Sequence, residues 1–321
     1  MKRLALQLMH GCGVFALARA MSAGMGRILM YHNFCGSDET DPRAVSPSAL
    51  RAQLEYLRRH FQVVPLAHML DQVGSGNPLD RRSVVLTIDD GRRSCYEFLF
   101  PILKQFRLPA TFFVVSSFIR GDDWIWTDKV LWLSEQPRPH SELAPDRIDG
   151  YFTLLNQLRP EERNRRMATL ADAMRVAIPK EPPHKYSPCS WRELREMADS
   201  GLVEVGSHTV SHPILASVTD EESWTELTLS RAHIEEGIGR KVNSFCFPNG
   251  KPGDYRQSQL HQLNHAGYTS AVVTRFGMVG PRANPYELPR VGIAGTTDPL
   301  TFAKHLDGAE YYQARLQGSL M

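Results

Sequence analysis

The sequence feature that most constrains the fold is Ser-Val-Val-Leu-Thr-Ile, an almost continuous apolar and β-branched run from Ser83 to Ile88. A strand of this composition is buried on both faces, which is typical of parallel sheets covered by helices. A helical stretch through Phe106 follows, and then a second run, Ala-Thr-Phe-Phe-Val-Val, from Ala110 to Val115. Residues 83–115 therefore predict a βαβ unit and a parallel sheet in an α/β protein.

The alternation of strand and helix extends over most of the chain. Further strand candidates lie at residues 28–32, 62–65, 202–206, 244–247, 268–274 and 288–293. Ser46 before Pro47 indicates the start of one helix. Ser190 and Thr219, each three positions before a Glu, indicate the starts of two more. Six to eight such strands predict a (β/α) barrel, distorted or incomplete, rather than an open doubly wound sheet. No Gly-rich phosphate loop follows an early strand, so nucleotide binding is not favoured.

The domain prediction has three segments. Residues 1–27 form an amphipathic or signal-like segment, residues 28–295 form the α/β domain, and residues 296–321 form a C-terminal helical tail. Within the domain, residues from about 120 to 187 are rich in Trp, Pro and charge and lack strand patterns. We interpret this stretch as a helical insertion, either a lid or a small subdomain.

The N-terminal segment carries Lys2 and Arg3 before an apolar stretch that Gln7, His10 and Arg19 interrupt. A cleaved signal peptide has a purer apolar region, and a spanning helix needs about 20 uninterrupted apolar residues. We therefore expect an uncleaved helix that lies against a membrane surface or against the domain.

The charge balance and the cysteines exclude some functions. The 37 basic and 35 acidic side chains are mixed along the chain and leave a net charge of +2, so nucleic acid is not an expected partner. The five cysteines are widely spaced and contain no CxxC pair. This usage favours reduced thiols and a cytoplasmic protein, associated with the membrane at most, over an exported one.

Polar residues follow the apolar runs where the predicted strands end. They are His32, the pair Asp89-Asp90, the segment Ser207–His212, the turn 248–250, and Arg290. In a barrel these strand ends meet on one face, where loops build the active site. One strand-end Asp taken alone is more often a helix cap or a turn residue, so the argument depends on the combination.

The combination predicts a metal site. His208 and His212 lie four residues apart beside one strand end, and a carboxylate lies at a neighbouring end. Two imidazoles and one carboxylate form a donor set that suits Zn²⁺, although Co²⁺, Ni²⁺, Mn²⁺ or Fe²⁺ also fit it, and it leaves positions open for water and substrate. Because adjacent strand residues point in different directions, the second carboxylate of Asp89-Asp90 is free to act as a base.

These motifs resemble those of the polysaccharide deacetylases of the NodB-homology type, carbohydrate esterase family 4. Leu-Thr-Ile-Asp-Asp-Gly is similar to the first motif of that family, Ser-His-Thr-Val-Ser-His to its histidine motif, and Phe-Cys-Phe-Pro-Asn-Gly to its third motif. The resemblance covers residues 28–295. It implies that Asp89 is the catalytic base, that Asp90, His208 and His212 bind the metal, and that the backbone amide of Asn249 is the oxyanion donor.

The sequence departs from the family pattern in ways that leave the general acid unassigned. The third motif lacks its usual arginine and has Asn249 in place of an aromatic residue, and the late Leu-x-His motif has no clear counterpart. Arg290 is a candidate replacement for the arginine. His32 is a candidate site residue because Tyr31-His32 resembles a pair in exopolysaccharide deacetylases, whereas His305 lies in a helix-like context and ranks lower. Pro248 and Tyr31 are candidate substrate contacts.

The resemblance implies hydrolysis of the N-acetyl group of an N-acetylhexosamine in a polysaccharide, an oligosaccharide or a lipid-linked glycan. One alternative is hydrolysis of a non-sugar amide or imide, as in allantoinase-like relatives. A second alternative is a non-catalytic carbohydrate-binding relative, which the missing histidine motif favours and the intact Asp and His motifs oppose. In the insertion, Trp124, Trp126 and Trp132 either stack on sugars or fill a core, and their helical spacing favours the core.

Overall fold

The computed structural model describes residues 2–36 and 41–317. Met1 and residues 318–321, which belong to the predicted N-terminal segment and C-terminal tail, lie outside the described residues.

Eight parallel strands form the sheet. They are β1 (Arg27–Tyr31), β2 (Gln62–Val63), β3 (Ser83–Ile88), β4 (Ala110–Val114), β5 (Val203–Ser207), β6 (Ser244–Cys246), β7 (Ser270–Phe276) and β8 (Leu288–Gly292). The strand order is β1-β8-β7-β6-β5-β4-β3, and a further pairing of β1 with β3 closes a ring of seven strands. Strand β2 stays outside this ring and pairs only with the first two residues of β3. The predicted (β/α) barrel is therefore present, and its ring is closed.

The strand pairing sets which loop residues meet. In β1 and β3, Tyr31 pairs with Ile88, and the Asp89 N–H donates to the Tyr31 carbonyl, so His32 and Asp89 follow their strands side by side. Between β7 and β8 the register shifts, because the paired residues are two positions apart on β8, at Leu288 and Arg290, but four positions apart on β7, at Val272 and Phe276. This irregularity lies next to Arg290, which pairs with Phe276.

Fourteen α-helices are present among the described residues. They are α1 (Lys2–Gly11), α2 (Val14–Met21), α3 (Pro47–His60), α4 (Leu66–Val73), α5 (Phe100–Phe106), α6 (Ser116–Arg120), α7 (Trp126–Ser134), α8 (Ile148–Asn156), α9 (Pro160–Ala173), α10 (Trp191–Asp199), α11 (Asp220–Ile238), α12 (Gln257–His265), α13 (Pro299–Asp307) and α14 (Ala309–Leu316).

The predicted helix starts and strand runs are found with small boundary shifts. The Ser46 side chain accepts a hydrogen bond from the Ala49 N–H, and both capping boxes, Ser190 with Glu193 and Thr219 with Glu222, are formed. The predicted strand at 62–65 shortens to two residues. It ends there because the chain turns into α4 at Pro65, which has no N–H to donate to a ladder.

Alternation along the strands separates two apolar layers. All six residues of β3 are buried. Val84, Leu86 and Ile88 belong to the layer between the strands and the surrounding helices, whereas Val85 packs with Phe113 and other inward-facing residues in the barrel interior. Both faces of the strand are thus covered, as the unbroken apolar run requires.

The insertion between β4 and α10 is helical, with α7, α8 and α9 packed around a small core of their own. Trp126 belongs to this core, and Trp124 packs with Tyr186 in an adjoining cluster. The exposed fractions of Trp124 and Trp126 are 3 % and 4 %, so these two tryptophans are core residues.

The two ends of the chain pack together. Phe15 and Ala18 of α2 are buried against Ala303 and Ala309, from the two C-terminal helices. Arg19 donates to Asp307 across this contact over 2.9 Å. Helices α1 and α2 therefore lie on the C-terminal helical tail.

Close packing inside the barrel gives a stability prediction at Gly206 of β5. A Cβ atom there would lie 2.6 Å from ring carbons of Phe113 and 2.7 Å from the Ser244 Oγ. We expect Gly206→Ala to lower the free energy of unfolding by about 1–3 kcal/mol, because a filled core accommodates an added methyl group only by strain. Urea unfolding followed by circular dichroism measures this loss.

Gly150 of α8 provides the matched control, because a Cβ atom at this helical position would meet nothing within 4 Å. Gly150→Ala should leave stability unchanged or raise it by up to about 1 kcal/mol. Equal unfolding midpoints for the two variants would contradict the packing argument.

Candidate active site

A cavity of about 1090 Å³ opens at the carboxyl ends of the strands. Its lining includes six of the residues singled out from the sequence, namely His32, Asp89, Asp90, His208, His212 and Asn249. The barrel thus brings strand ends that are far apart in sequence to a single site, as the parallel topology requires.

The turn after β3 separates the two aspartates. Asp90 has a φ of 78°, a left-handed conformation that is uncommon for a residue with a side chain, and Gly91 follows with a φ of 87°. A Cβ atom on Gly91 would lie 2.9 Å from Ile119 and 3.0 Å from Val114, so both conformation and space require glycine here. This turn directs Asp90 towards the histidines, while Asp89 contacts Arg290 inside the barrel.

Asp90, His208 and His212 form a three-donor group. The Asp90 Oδ1 lies 3.7 Å from the Nε2 atom of each histidine, and the three donor atoms lie within 4.8 Å of one another. The Nδ1 of His208 lies 2.7 Å from the Cys246 carbonyl oxygen, so Nδ1 carries the proton and the Nε2 lone pair faces the site.

The charge states of the group suit a divalent cation. Burial, with repulsion from His208, lowers the pKa of His212 to about 3, and burial also lowers the pKa of His208, so both imidazoles are neutral. Burial alone would raise the pKa of Asp90, but the Arg92 guanidinium outweighs it and keeps the carboxyl ionised. Two neutral imidazoles and one carboxylate are ligands that Zn²⁺ and related cations accept.

A second group, formed by Asp89, His208 and Cys246, has donor atoms within the same distance of one another. It suits a cation less well. Burial raises the pKa of the Cys246 thiol well above its usual value, and the Asp89 oxygens already accept hydrogen bonds from Arg290. The group that contains Asp90 is therefore the candidate metal site.

The loop that carries the histidines is held by residues that the sequence motifs did not reveal. Glu226 of α11 accepts hydrogen bonds from the N–H groups of Val210 and Ser211, over 2.7 and 3.0 Å, and from the Ser211 hydroxyl over 2.6 Å. Trp126 of the insertion donates its indole N–H to the His212 carbonyl over 3.0 Å. The backbone at His212 has a φ of 58°, so the loop needs this support to hold its ring in place.

Arg290 fixes the other aspartate. Its two terminal nitrogens donate to Oδ1 and Oδ2 of Asp89, each over 2.8 Å, and the exposed fractions of the two residues are only 1 % and 2 %. Burial would raise the pKa of Asp89, but the charge and hydrogen bonds of Arg290 overcome this effect and lower it. Arg290 thus acts on Asp89 from inside the barrel and does not line the cavity.

Arg92 and Asp128 were also missed from the sequence. Arg92 donates to Asp90 Oδ2 over 3.0 Å and lies 2.6 Å from the Asp128 carboxylate. Asp128 is fully buried, and burial raises its pKa to about 7 although Arg92 opposes the rise. The only available sequence signal is the position of Arg92 two residues after Asp90, because Asp128 lies in the insertion.

His32 and His305 are the candidates for a general acid. The His32 Nε2 lies 3.7 Å from Asp89 Oδ2, and 45 % of its side chain is exposed. His305 is on the cavity wall, where it contacts Glu310 of α14. His32 is thus the histidine beside the reacting groups.

Two predicted substrate contacts are placed differently by the structure. Tyr31 is 2 % exposed and donates its hydroxyl to Gln53 over 3.0 Å, so the prediction that it contacts substrate is wrong. Alternation along β1 turns its side chain towards α3, away from the cavity. Pro248 is buried and does not line the cavity, although its neighbours Phe247 and Asn249 do.

Asn249 keeps its predicted position. Its φ is 58°, and its side chain donates to Asp254 over 2.6 Å. Among the described residues no acceptor is found for its backbone N–H. This N–H is therefore available to a ligand in the cavity.

Fold and site together describe a seven-stranded (β/α) barrel with a candidate cation site at the carboxyl ends of its strands. Residues 76–271 match the family described as Polysaccharide deacetylase. The chain belongs to the polysaccharide deacetylase family, as the motif resemblance predicted.

Two curated relatives are named poly-β-1,6-N-acetyl-D-glucosamine N-deacetylase. The protein from Staphylococcus aureus is 31 % identical over 270 residues, which cover 81 % of this chain and 71 % of the relative. The protein from Escherichia coli K12 is 42 % identical over 168 residues. That match covers 52 % of this chain but only 18 % of the E. coli protein.

Solved structures share the fold. IcaB from Ammonifex degensii superimposes with a TM-score of 0.61 at 21 % identity, over 88 % of this chain and 97 % of that one. The Streptococcus pyogenes deacetylase PplD, solved with acetate, gives a TM-score of 0.62 at 16 % identity, over 88 % and 98 % of the two chains.

The contacts of Glu226 give a prediction for metal affinity. Glu226→Ala removes the acceptor of the Val210 and Ser211 N–H groups, which loosens the loop that carries His212. We expect Zn²⁺ affinity to fall about 10- to 100-fold, the usual cost of losing a group that orients a metal ligand. Titration of the metal-free protein against a chromophoric chelator measures this change.

Glu221→Ala is the control, since Glu221 is exposed on the same helix. It should bind Zn²⁺ like the wild type. If Glu226→Ala also binds like the wild type, Glu226 does not position the histidine loop.

Proposed function

We propose that this protein is a metal-dependent N-deacetylase that hydrolyses N-acetyl groups on N-acetylglucosamine units of a β-1,6-linked polymer. The observation that carries the proposal is the arrangement of Asp89, clamped by Arg290, beside the group of Asp90, His208 and His212 in one cavity. The names of the relatives support the β-1,6-linked substrate.

The size of the cavity supports a polymeric substrate. Its volume of about 1090 Å³ exceeds the range of about 300–1,000 Å³ that is usual for small-molecule pockets. A site of this size admits the neighbouring units of a glycan together with the unit that reacts.

Asp90, His208 and His212 would hold a divalent cation, most suitably Zn²⁺, which would supply a Lewis acid for the acetamide carbonyl and would acidify water. Asp89 accepts the proton that the attacking water loses. The bidentate contact with Arg290 keeps this carboxylate ionised and fixes its orientation. A base in a fixed position lowers the entropic cost of the attack.

The remaining steps need a hydrogen-bond donor for the carbonyl oxygen and a proton donor for the amide nitrogen. As water adds to the carbonyl carbon, negative charge develops on the carbonyl oxygen, and the N–H of Asn249, a residue of the cavity lining, donates to it. The carbon–nitrogen bond then breaks as His32 donates a proton to the leaving nitrogen. The products are acetate and a free amino sugar.

Two variants separate the base from the metal ligands. Asp89→Asn should abolish acetate release from β-1,6-linked N-acetylglucosamine oligomers and still bind Zn²⁺, because the cation group lacks Asp89. His208→Ala should lose both acetate release and Zn²⁺ binding. Acetate release is followed by a coupled enzymatic assay, and bound metal by mass spectrometry.

The same assay tests the substrate class. Oligomers with β-1,4 linkages and cyclic imides serve as comparison substrates. Glycan binding by metal-loaded wild-type protein without any acetate release would indicate a non-catalytic relative, and imide hydrolysis alone would indicate an allantoinase-like enzyme. An active Asp89→Asn protein would disprove the assignment of the base.

The acid role of His32 is tested by His32→Ala. We expect kcat to fall by roughly 10²- to 10⁴-fold, the usual contribution of a general acid, with Zn²⁺ affinity unchanged.

His305→Ala is the matched control, since His305 lines the same cavity without approaching Asp89. It should retain most of the wild-type kcat. If the larger loss of kcat occurs in His305→Ala, the two histidines have been assigned the wrong way round.

A further inference from the structure

Helices α1 and α2 are apolar on the side that faces away from the protein. Leu4 and Leu8 lie one turn apart on α1, and Leu17 and Met21 lie one turn apart on α2. Each of these four side chains is 61–63 % exposed. Large side chains exposed together at helical spacing form a surface, which we call the outer stripe and define as Leu4, Leu8, Leu17 and Met21.

The helices that carry the outer stripe are fixed to the domain on their opposite side. Phe15 and Ala18 are buried against the C-terminal helices, and Arg19 bonds to Asp307, which is 1 % exposed. The inner side thus already has its apolar contacts. The outer stripe is left without a covering element among the described residues.

Charge indicates what covers the stripe. The chain has 35 acidic residues, yet none precedes Asp38, whereas Lys2 and Arg3 stand at the start of α1. An apolar surface on a segment whose sequence contains basic residues and no acidic ones suits a lipid surface with anionic headgroups. It is a poorer match for a second copy of this chain, because two such segments would bring like charges together.

The length and shape of the two helices favour a position along the membrane surface over one across the membrane. No helix in the part of the chain that the structure describes is long and apolar enough to span a membrane alone. The stretches Leu4–Gly11 and Val14–Met21 reach that threshold only when taken together, and they are bent by 66° to each other. A bent pair of short amphipathic helices suits the plane of the membrane interface.

We propose that α1 and α2 are a docking surface for an anionic lipid bilayer, with the outer stripe inserted among the headgroups. None of the residues that the structure assigns to these helices lines the cavity. The protein therefore binds the membrane with its site free, and the docking is independent of the reaction proposed above.

The test is sedimentation of the full chain with vesicles of phosphatidylcholine and phosphatidylglycerol, and with vesicles of phosphatidylcholine alone. We expect binding to the anionic vesicles, weakened by salt because headgroup attraction is screened. Leu8→Glu combined with Leu17→Glu should reduce the partition coefficient at least about tenfold, because two charges replace apolar groups at the interface. Acetate release from a soluble oligomer should stay at the wild-type level.

Leu154→Glu combined with Leu229→Glu is the charge-matched control, because these side chains are 37 % and 41 % exposed on other helices. It should bind vesicles like the wild type. The proposal is overturned if the wild type does not bind anionic vesicles, or if the Leu8 and Leu17 variant binds them equally well. It is also overturned if the wild type forms dimers that this variant dissociates, or if protein recovered from cells lacks the residues of α1 and α2.

Discussion

The contact on which the site depends is the buried ion pair of Asp89 and Arg290. Asp89 directly follows β3 and Arg290 belongs to β8, and these two strands flank β1 at the closure of the ring. The nitrogens of Arg290 donate to the Val273 carbonyl, to the Thr87 hydroxyl, to the Cys246 sulfur and to both oxygens of Asp89. A buried pair adds little net stability, but the loss of one partner typically costs about 3–5 kcal/mol, since a charge is left unpaired. The pair therefore fixes the position of the Asp89 carboxylate more than it stabilises the fold.

The helical insertion belongs to the site as much as to the periphery. From α7, Trp126 holds the backbone at His212, and Asp128 contacts the arginine that binds Asp90. Arg163 of α9 in turn stacks over the Trp126 ring at 4.5 Å. Two of the three candidate metal ligands are thus supported by a segment that lies outside the repeating strand and helix pattern. The insertion has a hydrophobic core of its own because a segment that supports metal ligands has to be rigid.

The sequence predicted the features that depend on residues close together in the chain. The unbroken apolar runs identified the parallel strands, and the capping residues identified the helix starts. The polar residues after the strands identified the candidate metal ligands and the candidate base, but only a small part of the cavity lining. It did not predict the partners of those residues. Glu226, Asp128 and Trp126 act through contacts with residues distant in sequence, which no spacing rule reveals. Tyr31 was wrongly predicted to contact substrate, because neighbouring strand residues face opposite sides: Met30 and His32 line the cavity, whereas Tyr31 faces α3.

The register shift between β7 and β8 has a consequence for the interior. In an eight-stranded barrel, alternate strands contribute side chains to successive layers, but a ring of seven cannot be divided in this way. The extra residues of β7 between Val272 and Phe276 include Val273, whose carbonyl accepts from Arg290, and Thr274, whose N–H donates to Gly250 beside Asn249. A bulge frees backbone groups from ladder pairing, and here those groups bind the guanidinium and the loop of Asn249. In the seven-stranded ring, main-chain groups of β7 thus bind Arg290 and the loop of Asn249. An interior made of evenly layered apolar side chains would lack these polar groups.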